Sequence, residues 1–428
     1  MSAADTHRTV EAIWRIESPK IIGYLTRMVR DIGLAEDLAQ DALIAALERW
    51  PTDGIPDNPG GWLMTTAKRK ALDLLRRNKV RDQKYALLGR ELDVRMNSDI
   101  DVPEPGEVND DLLRLIFMAC HPVLSPEARV ALTLRLLGGL TTVEIARAYL
   151  VPEPTIAQRI VRAKRTLAAT KVAFEIPEGT ELKPRLSSVL EVVYLMFNEG
   201  YAASSGSQWI RPLLCQEALR IGRVLAEIAP LEPEVHGLVA LMEFQSSRFK
   251  SRVNAGGEPV LLMDQNRALW DYLLIRRGFA ALDRIEQLGG LTGPYALQAA
   301  ISACHAGAAS AAETDWIRIS ALYEALAQVS PSPIVELNRA VALSMAFGPE
   351  IGLEIVDALQ SAPALKGYHL LPSVRGDLLF KLGRLEEACT EFKLAASQTD
   401  NQRERDLLLG RAAACLPDES RVQRKKST

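Results

Sequence analysis

The sequence predicts an all-α protein: two small helical domains, then a larger helical repeat domain. Three observations carry that prediction. Leu/Ala-rich segments with apolar residues every three to four positions recur along the 428 residues, and the alternation of a half-buried strand is scarce. Helix punctuation is explicit, as where Thr141 followed by Glu144 forms a capping box just after Gly138-Gly139. Near the end, Gly376, Leu379, Gly383, Ala388, Phe392 and Ala395 fall at the small-and-large spacing of a tetratricopeptide repeat. A length of 428 residues leaves room for two to four domains with ample buried core.

Leu34–Trp50, LAEDLAQDALIAALERW, is the first strongly patterned helix, with Glu36, Asp37, Gln40 and Asp41 clustered at its start. Acids there suit the positive end of the helix dipole, and they equally suit an acidic docking surface for a protein partner. Pro51–Gly61 follows as a loop rich in Pro and Gly. Gly60-Gly61-Trp62 then opens the run WLMTTAKRKALDLLRRNKVRDQK, which carries eight Lys or Arg against two Asp. On this predicted helix Lys68, Arg69, Arg76, Arg77 and Lys79 can lie against phosphates, which attract cations without reading sequence. Trp62 has two readings, packing in a core or stacking on an unpaired base, and packing is the usual fate of a large aromatic at a helix start.

Asn97–Asp111, NSDIDVPEPGEVNDD, is acidic, bears proline and lacks apolar rhythm, which predicts a flexible linker. Beyond it, residues 141–165 read as two short helices joined by a tight turn. Ile145 and Ala146 face inward, and Val151-Pro152 ends the first helix because the residue before proline is pushed out of the α region. The second starts near Pro154, where the first-turn amides have no helical partner to lose. Ile156, Ile160, Ala163 and Leu167 form its buried stripe; Thr155, Gln158, Arg159 and Arg162 occupy the opposite face, with Lys164 and Arg165 at the flank. No Asp or Glu occurs between Pro154 and Phe174. This is the pattern of a helix-turn-helix that places one helix in a DNA major groove, although a solvated basic face on an ordinary helix would use the same residues.

The strings EDLAQDAL, GGWLMTTAKRKALDLLRR and LTTVEIARAYLVPEPTIAQRIVRAKRTL, in that order over residues 8–172, resemble sigma-70 factors of the extracytoplasmic-function type. The resemblance implies a first domain over 8–95 that binds the clamp of core RNA polymerase and the −10 promoter element, an acidic linker over 96–111, and a second domain over 112–172 that reads the −35 element. It places polymerase contacts on Asp37, Gln40 and Asp41. It makes Pro51–Gly61 the loop that captures a flipped base, with Asp57 and Asn58 as its polar contacts. Base and phosphate contacts of the recognition helix fall on Ala157, Gln158, Val161 and Arg162, and Ala157 departs from a position that is often basic in relatives. Gln158 suits adenine and Arg162 guanine, each by a bidentate pair.

Residues 178–428 are more than promoter recognition requires. VVYLMFNEGYAAS, LLCQEALRIGRVLAE, LLMDQNRALW and GPYALQAAISACHA resemble the long C-terminal extension of one group of these sigma factors, which ends in tetratricopeptide repeats and is thought to regulate sigma activity. Repeats are expected over about 333–400, with Leu337–Leu359 a weaker copy in which Gly348 precedes Gly383 by 35 positions. A generic helical hairpin would show the same spacing. Asn198, Glu199, Tyr201, Asp264, Gln265 and Arg267, with Glu217 and Arg220, could form a polar pocket for a small ligand, a satisfied structural network, or a catalytic cluster.

The formal charge of −3 puts any DNA affinity in local patches. Five cysteines without a CxxC pair suit reduced thiols in a cytoplasmic protein. Cys120-His121 and Cys304-His305 point their side chains about 100° apart on a helix, so no metal site and no cofactor is expected. There is no P-loop, no dinucleotide glycine fingerprint and no HExxH, and no apolar run long enough for a membrane. The expected function is therefore promoter recruitment of core RNA polymerase without catalysis, with promoter DNA as second partner and a protein or small ligand on the C-terminal domain. The alternative is a repeat-scaffold DNA-binding regulator that does not dock on polymerase.

Overall fold

A computed structural model describes residues 3–85, 105–149, 151–202, 205–206, 209–254 and 256–416. The chain divides into two compact units, 1–195 and 196–428. Helices supply the structure of both, and a parallel pair of two-residue strands, Ser205–Gly206 and Asp400–Asn401, is a small addition within the second.

The first unit contains α1 (Ala3–Val29), α2 (Ile32–Asp53), α3 (Pro59–Tyr85), α4 (Pro105–Ala119), α5 (Pro126–Leu136), α6 (Thr142–Tyr149), α7 (Glu153–Ala169) and the start of α8 (Leu182–Tyr201). Helices α1, α2 and α3 pack on one another and bury Leu25, Ala39 and Leu63; α5, α6 and α7 bury Leu132, Ile145 and Ile160. Helix α4 lies against α1 where Gly23 permits it, since a Cβ there would come within 2.9 Å of the Asp111 carbonyl oxygen. The turn before α8 brings Arg185 to donate to the Phe117 carbonyl at 3.0 Å, while Ser188 donates to the Cys120 carbonyl at 2.6 Å.

Two predicted boundaries move. Pro51–Gly61 is not one loop: α2 continues through Pro51 to Asp53 and α3 begins at Pro59, so only Gly54–Asn58 connects them. Gly54, at φ +85, ends α2, and the Asn58 side chain caps α3 by accepting from the Gly61 amide at 2.9 Å. The predicted linker likewise ends early, because α4 starts at Pro105 and takes in its last seven residues. Proline preset for a first helical position and the fully buried Asp111, paired with Arg114 at 2.8 Å and Arg27 at 3.1 Å, account for that. Residues 97–104 of the predicted linker lie outside the described residues.

The second unit contains the end of α8, then α9 (Pro212–Ile228), α10 (Pro233–Ser247), α11 (Tyr272–Gln287), α12 (Pro294–Gly307), α13 (Trp316–Val329), α14 (Pro333–Phe347), α15 (Pro349–Leu359), α16 (Leu370–Lys381), α17 (Leu385–Gln398) and α18 (Gln402–Ala414). Proline marks the starts of α9, α10, α12, α14 and α15. From α12 onward each helix packs on the next, as consecutive hairpins do. In the α16–α17 hairpin Gly376 passes under the buried Phe392, 2.9 Å from where its Cβ would be, and Gly383 turns the chain at φ +75. The α14–α15 hairpin repeats the device: Gly348 turns at φ +113, and a Cβ on Gly352 would lie 2.8 Å from the Ala340 carbonyl oxygen.

Candidate nucleic-acid interface

Helices α6 and α7 form the predicted helix-turn-helix. Thr141 and Glu144 make a reciprocal capping box: the Glu144 amide donates to Thr141 Oγ1 at 3.2 Å and the Thr141 amide donates to Glu144 Oε2 at 2.8 Å. The stripe Ile156, Ile160, Ala163 and Leu167 is buried. That burial fixes the rotation of α7 and leaves Gln158, Val161, Arg162 and Arg165 in solvent, with Thr155 and Arg159 half-buried. An exposed amide and guanidinium one turn apart are the groups that read base edges in a major groove.

Lys164 stands apart from this face. Its ammonium is bonded to Glu36 of α2, whose other carboxylate oxygen accepts from Arg135 Nε at 2.6 Å. The Glu36 side chain is only 6% exposed. A second pair, Arg15 with Glu144 at 2.6 Å, also joins α1 to the helix-turn-helix. Beside these pairs lies a cleft of about 950 Å³ whose wall includes Arg27, Arg30, Lys164, Arg165 and Lys171, with Asp31 as its one acid. Lys164 is expected at DNA, but in this arrangement its charge is already occupied by Glu36.

On α3, Arg69, Arg76 and Arg77 are exposed and Lys68 is half-buried, its ammonium 6.0 Å from the Tyr24 ring centroid. The side chain of Lys79 lies outside the described residues. Trp62 packs edge-on against Trp50 at 5.4 Å, the packing role expected for it. Asp57 is exposed, while Asn58 already spends its side-chain oxygen on the α3 cap. On α2, Asp37 points to solvent, Gln40 donates to Glu36 at 2.8 Å, and Asp41 lies 3.5 Å from Lys70 while staying half exposed.

The polar pocket expected in the second unit comes apart. Glu199 pairs with Arg211, Glu217 pairs with Arg220 at 3.0 Å, and Asp264 is exposed. Gln265 is buried, accepting from Ser251 at 3.2 Å and donating to the Val260 carbonyl at 3.2 Å; the Asn198 carbonyl accepts from the Ala202 amide. Tyr201 and Arg267 instead join Arg248, Arg252, Trp209 and Trp270. Long side chains on separate turns give no periodic signal, so nothing in the sequence marks those four as a set. Burial pushes Cys120 up to about 11 and Cys215 up to about 12, so both stay protonated thiols. Among the described residues no cluster of three or more His, Cys, Asp or Glu could hold a metal, and no helix is long and apolar enough to cross a membrane.

An acid-bearing helix, a basic helix after it and a helix-turn-helix further on define a sigma-70-type transcription factor. Known families agree: residues 13–81 match sigma-70 region 2, residues 114–167 match sigma-70 region 4, and residues 185–286 match a family of unknown function, DUF6596. An uncharacterized protein of Rhizobium meliloti is 41% identical over 390 residues, 90% of this chain and 91% of that one. The probable ECF RNA polymerase sigma factor SigI of Mycobacterium tuberculosis is 29% identical over 170 residues, 40% of this chain and 58% of that one. The ECF RNA polymerase sigma factor SigK of Mycobacterium ulcerans is 29% identical over 152 residues, 35% of this chain and 78% of that one. The chain belongs to the extracytoplasmic-function sigma-70 factors, in one family with the rhizobial protein. Its sigma-70 domains imply core RNA polymerase and promoter DNA as partners.

Proposed function

We propose that this sigma factor directs core RNA polymerase in the cytoplasm to a defined promoter set, with α7 reading the −35 element and α3 holding the −10 region. The observation that carries this reading is α7, which buries its apolar stripe and leaves Gln158, Val161 and Arg162 free for base edges. No covalent step falls to the chain, because polymerase makes the RNA. The hairpins from α14 to α17 act as tetratricopeptide-like repeats that modulate initiation.

The ion pairs of Glu36 add a condition. The −10 and −35 elements lie about 25 base pairs apart, roughly 85 Å of duplex at about 3.4 Å per pair. Regions joined side to side through Glu36 cannot reach both at once. The arrangement described is therefore a closed form, and release of Lys164 and Arg135 from Glu36 precedes promoter binding.

Run-off transcription with core polymerase, the full chain and DNA from upstream of its own gene tests the reading. A specific transcript is expected, and Arg162→Ala should cut it tenfold or more, since a bidentate base contact supplies about 1–3 kcal/mol of discrimination. An equal loss of nonspecific duplex binding would mean that Arg162 meets only phosphate. Charge reversal at Asp37 and Asp41 should abolish core polymerase binding; intact binding of polymerase would remove α2 from that role, and no binding by the wild-type chain would favour a regulator that acts on DNA alone.

A further inference from the structure

The second unit gathers three guanidinium groups around shared aromatic rings. Arg252 lies 3.5 Å from the Tyr201 ring centroid and 5.7 Å from that of Trp209. Arg248 lies 5.7 Å from the Tyr201 centroid and 5.9 Å from that of Trp270, and Arg267 lies 4.7 Å from Trp270. All six residues fall inside the segment that matches the family of unknown function.

What this cluster lacks is a bonded acid, the nearest charge of that sign being that of Glu313, which acts on Arg267 without pairing with it. Among the described residues no carboxylate forms an ion pair with Arg248, Arg252 or Arg267, although arginines elsewhere in the unit, such as Arg211 and Arg223, have one. Two of the three lean on helix ends instead. Arg252 donates to the Tyr201 carbonyl at the end of α8, and Arg267 donates to the His305 carbonyl and, at 2.8 Å, to the Ala308 carbonyl at the end of α12. Arg248 makes one side-chain bond, to the Tyr201 hydroxyl. A guanidinium has five N–H donors, and Arg252, 6% exposed, and Arg248 spend few of them inside the chain, leaving the rest open to solvent. Two indole donors in the flanking rings, Trp209 Nε1 and Trp270 Nε1, are also buried without an acceptor. Gathering three cations and burying two indole donors without an acceptor is costly unless an acceptor arrives from outside.

We propose that Arg248, Arg252 and Arg267 form a binding site for a small dissolved oxyanion, a carboxylate or phosphate group on a compact organic molecule. An oxyanion supplies acceptors and charge together, and the guanidinium fork matches its geometry. The inference stands apart from promoter reading, and its test needs neither polymerase nor DNA.

The full chain is titrated with inorganic phosphate, with sodium acetate and with sodium chloride at equal ionic strength, following melting temperature and tryptophan fluorescence. Phosphate or acetate should stabilise the chain beyond chloride, with a saturable change in emission; whichever saturates names the group. Arg248→Gln should weaken that binding about tenfold or more, equivalent to about 1.4 kcal/mol, while Arg276→Gln on the exposed face of α11 should leave it unchanged. Trp270→Phe, which removes an N–H but no charge, serves as an independent variant and should weaken binding too. A response equal to chloride, or one that survives Arg248→Gln unaltered, overturns the proposal. So does binding of a polyglutamate peptide with neither ion bound, which would assign the site to a protein partner.

Discussion

In the first unit the buried acid Glu36 meets two cations, Arg135 and Lys164, from helices that precede and form the helix-turn-helix. In the second, the buried Arg252 meets a tyrosine, a tryptophan and the neighbouring Arg248, with no acid at all. Both sites are burials of charge, but only the first is complete within the chain. A completed set holds a conformation and must be broken for change to occur. An incomplete set is held by carbonyls and rings and gains stability when something binds. On the readings proposed above, the first unit would store a closed state and the second would sense a ligand.

Breaking the completed set should give the largest effect. Glu36→Gln keeps a hydrogen-bonding shape but strands two cations, and removal of one partner from a buried ion pair costs about 3 kcal/mol. Because that loss falls on the closed form, the sign is unusual: the variant should melt at lower temperature yet bind promoter DNA at least tenfold more tightly in the presence of core polymerase. Fluorescence transfer between labels on α2 and α7 would report the opening directly. Lower stability with unchanged DNA affinity would show that the pairs only hold the fold and do not gate it.

The incomplete set can be sharpened through its neighbour His305, which is half-buried with its ring edge-on to Trp316 at 5.2 Å. Burial first, then the positive charges of Arg248 and Arg267, push its pKa down to about 4. A histidine in the unfolded chain titrates near about 6.5. Between those values the unfolded chain holds a proton that the folded chain does not, so stability must fall as pH drops through the window. The expected loss is about 2 kcal/mol between pH 7 and pH 5. Urea midpoints at the two pH values should show that loss in the wild type and a flatter response in His305→Gln. Saturating the arginine site with its oxyanion should shrink the slope as well, by relieving the repulsion. Identical slopes in wild type and variant would place His305 in contact with solvent.

How much of this was open to a reader of the sequence follows from what periodicity measures. The stripe Ile156, Ile160, Ala163 and Leu167, the Thr141–Glu144 box and the Gly376–Phe392 fit are local or repeat-spaced, and each lies where its spacing put it. Partners 99 and 128 positions apart, as Glu36 is from Arg135 and Lys164, leave no spacing to read. Acids at the start of α2 therefore looked like dipole partners or a docking face, although Glu36 turns inward. Asp111 was hidden for a related reason: an acidic, proline-bearing stretch reads as a tether, while its last residue is fully buried between Arg27 and Arg114. Arg248 and Arg252 were missed because arginine is ordinarily exposed, and nothing local marks the ones that are not.

The smallest effect isolates burial from geometry. Arg384 and Glu387, on the first turn of α17, form a fork-to-carboxylate pair with both bonds at 2.7 and 2.6 Å, as good in distance as the Glu36–Arg135 bond at 2.6 Å. Their side chains are 46% and 50% exposed, however, so water screens both charges whether or not they meet. The salt bridge holds the Arg384 guanidinium above its ordinary pKa and the Glu387 carboxyl below its own, which shows attraction without showing a stable contribution to folding. Glu387→Gln should leave the melting temperature and the promoter response unchanged, at low and high salt alike. If it destabilised the chain as Glu36→Gln does, pairing geometry alone would govern these sites, and the distinction between a sealed charge and a solvated one would fail for this protein.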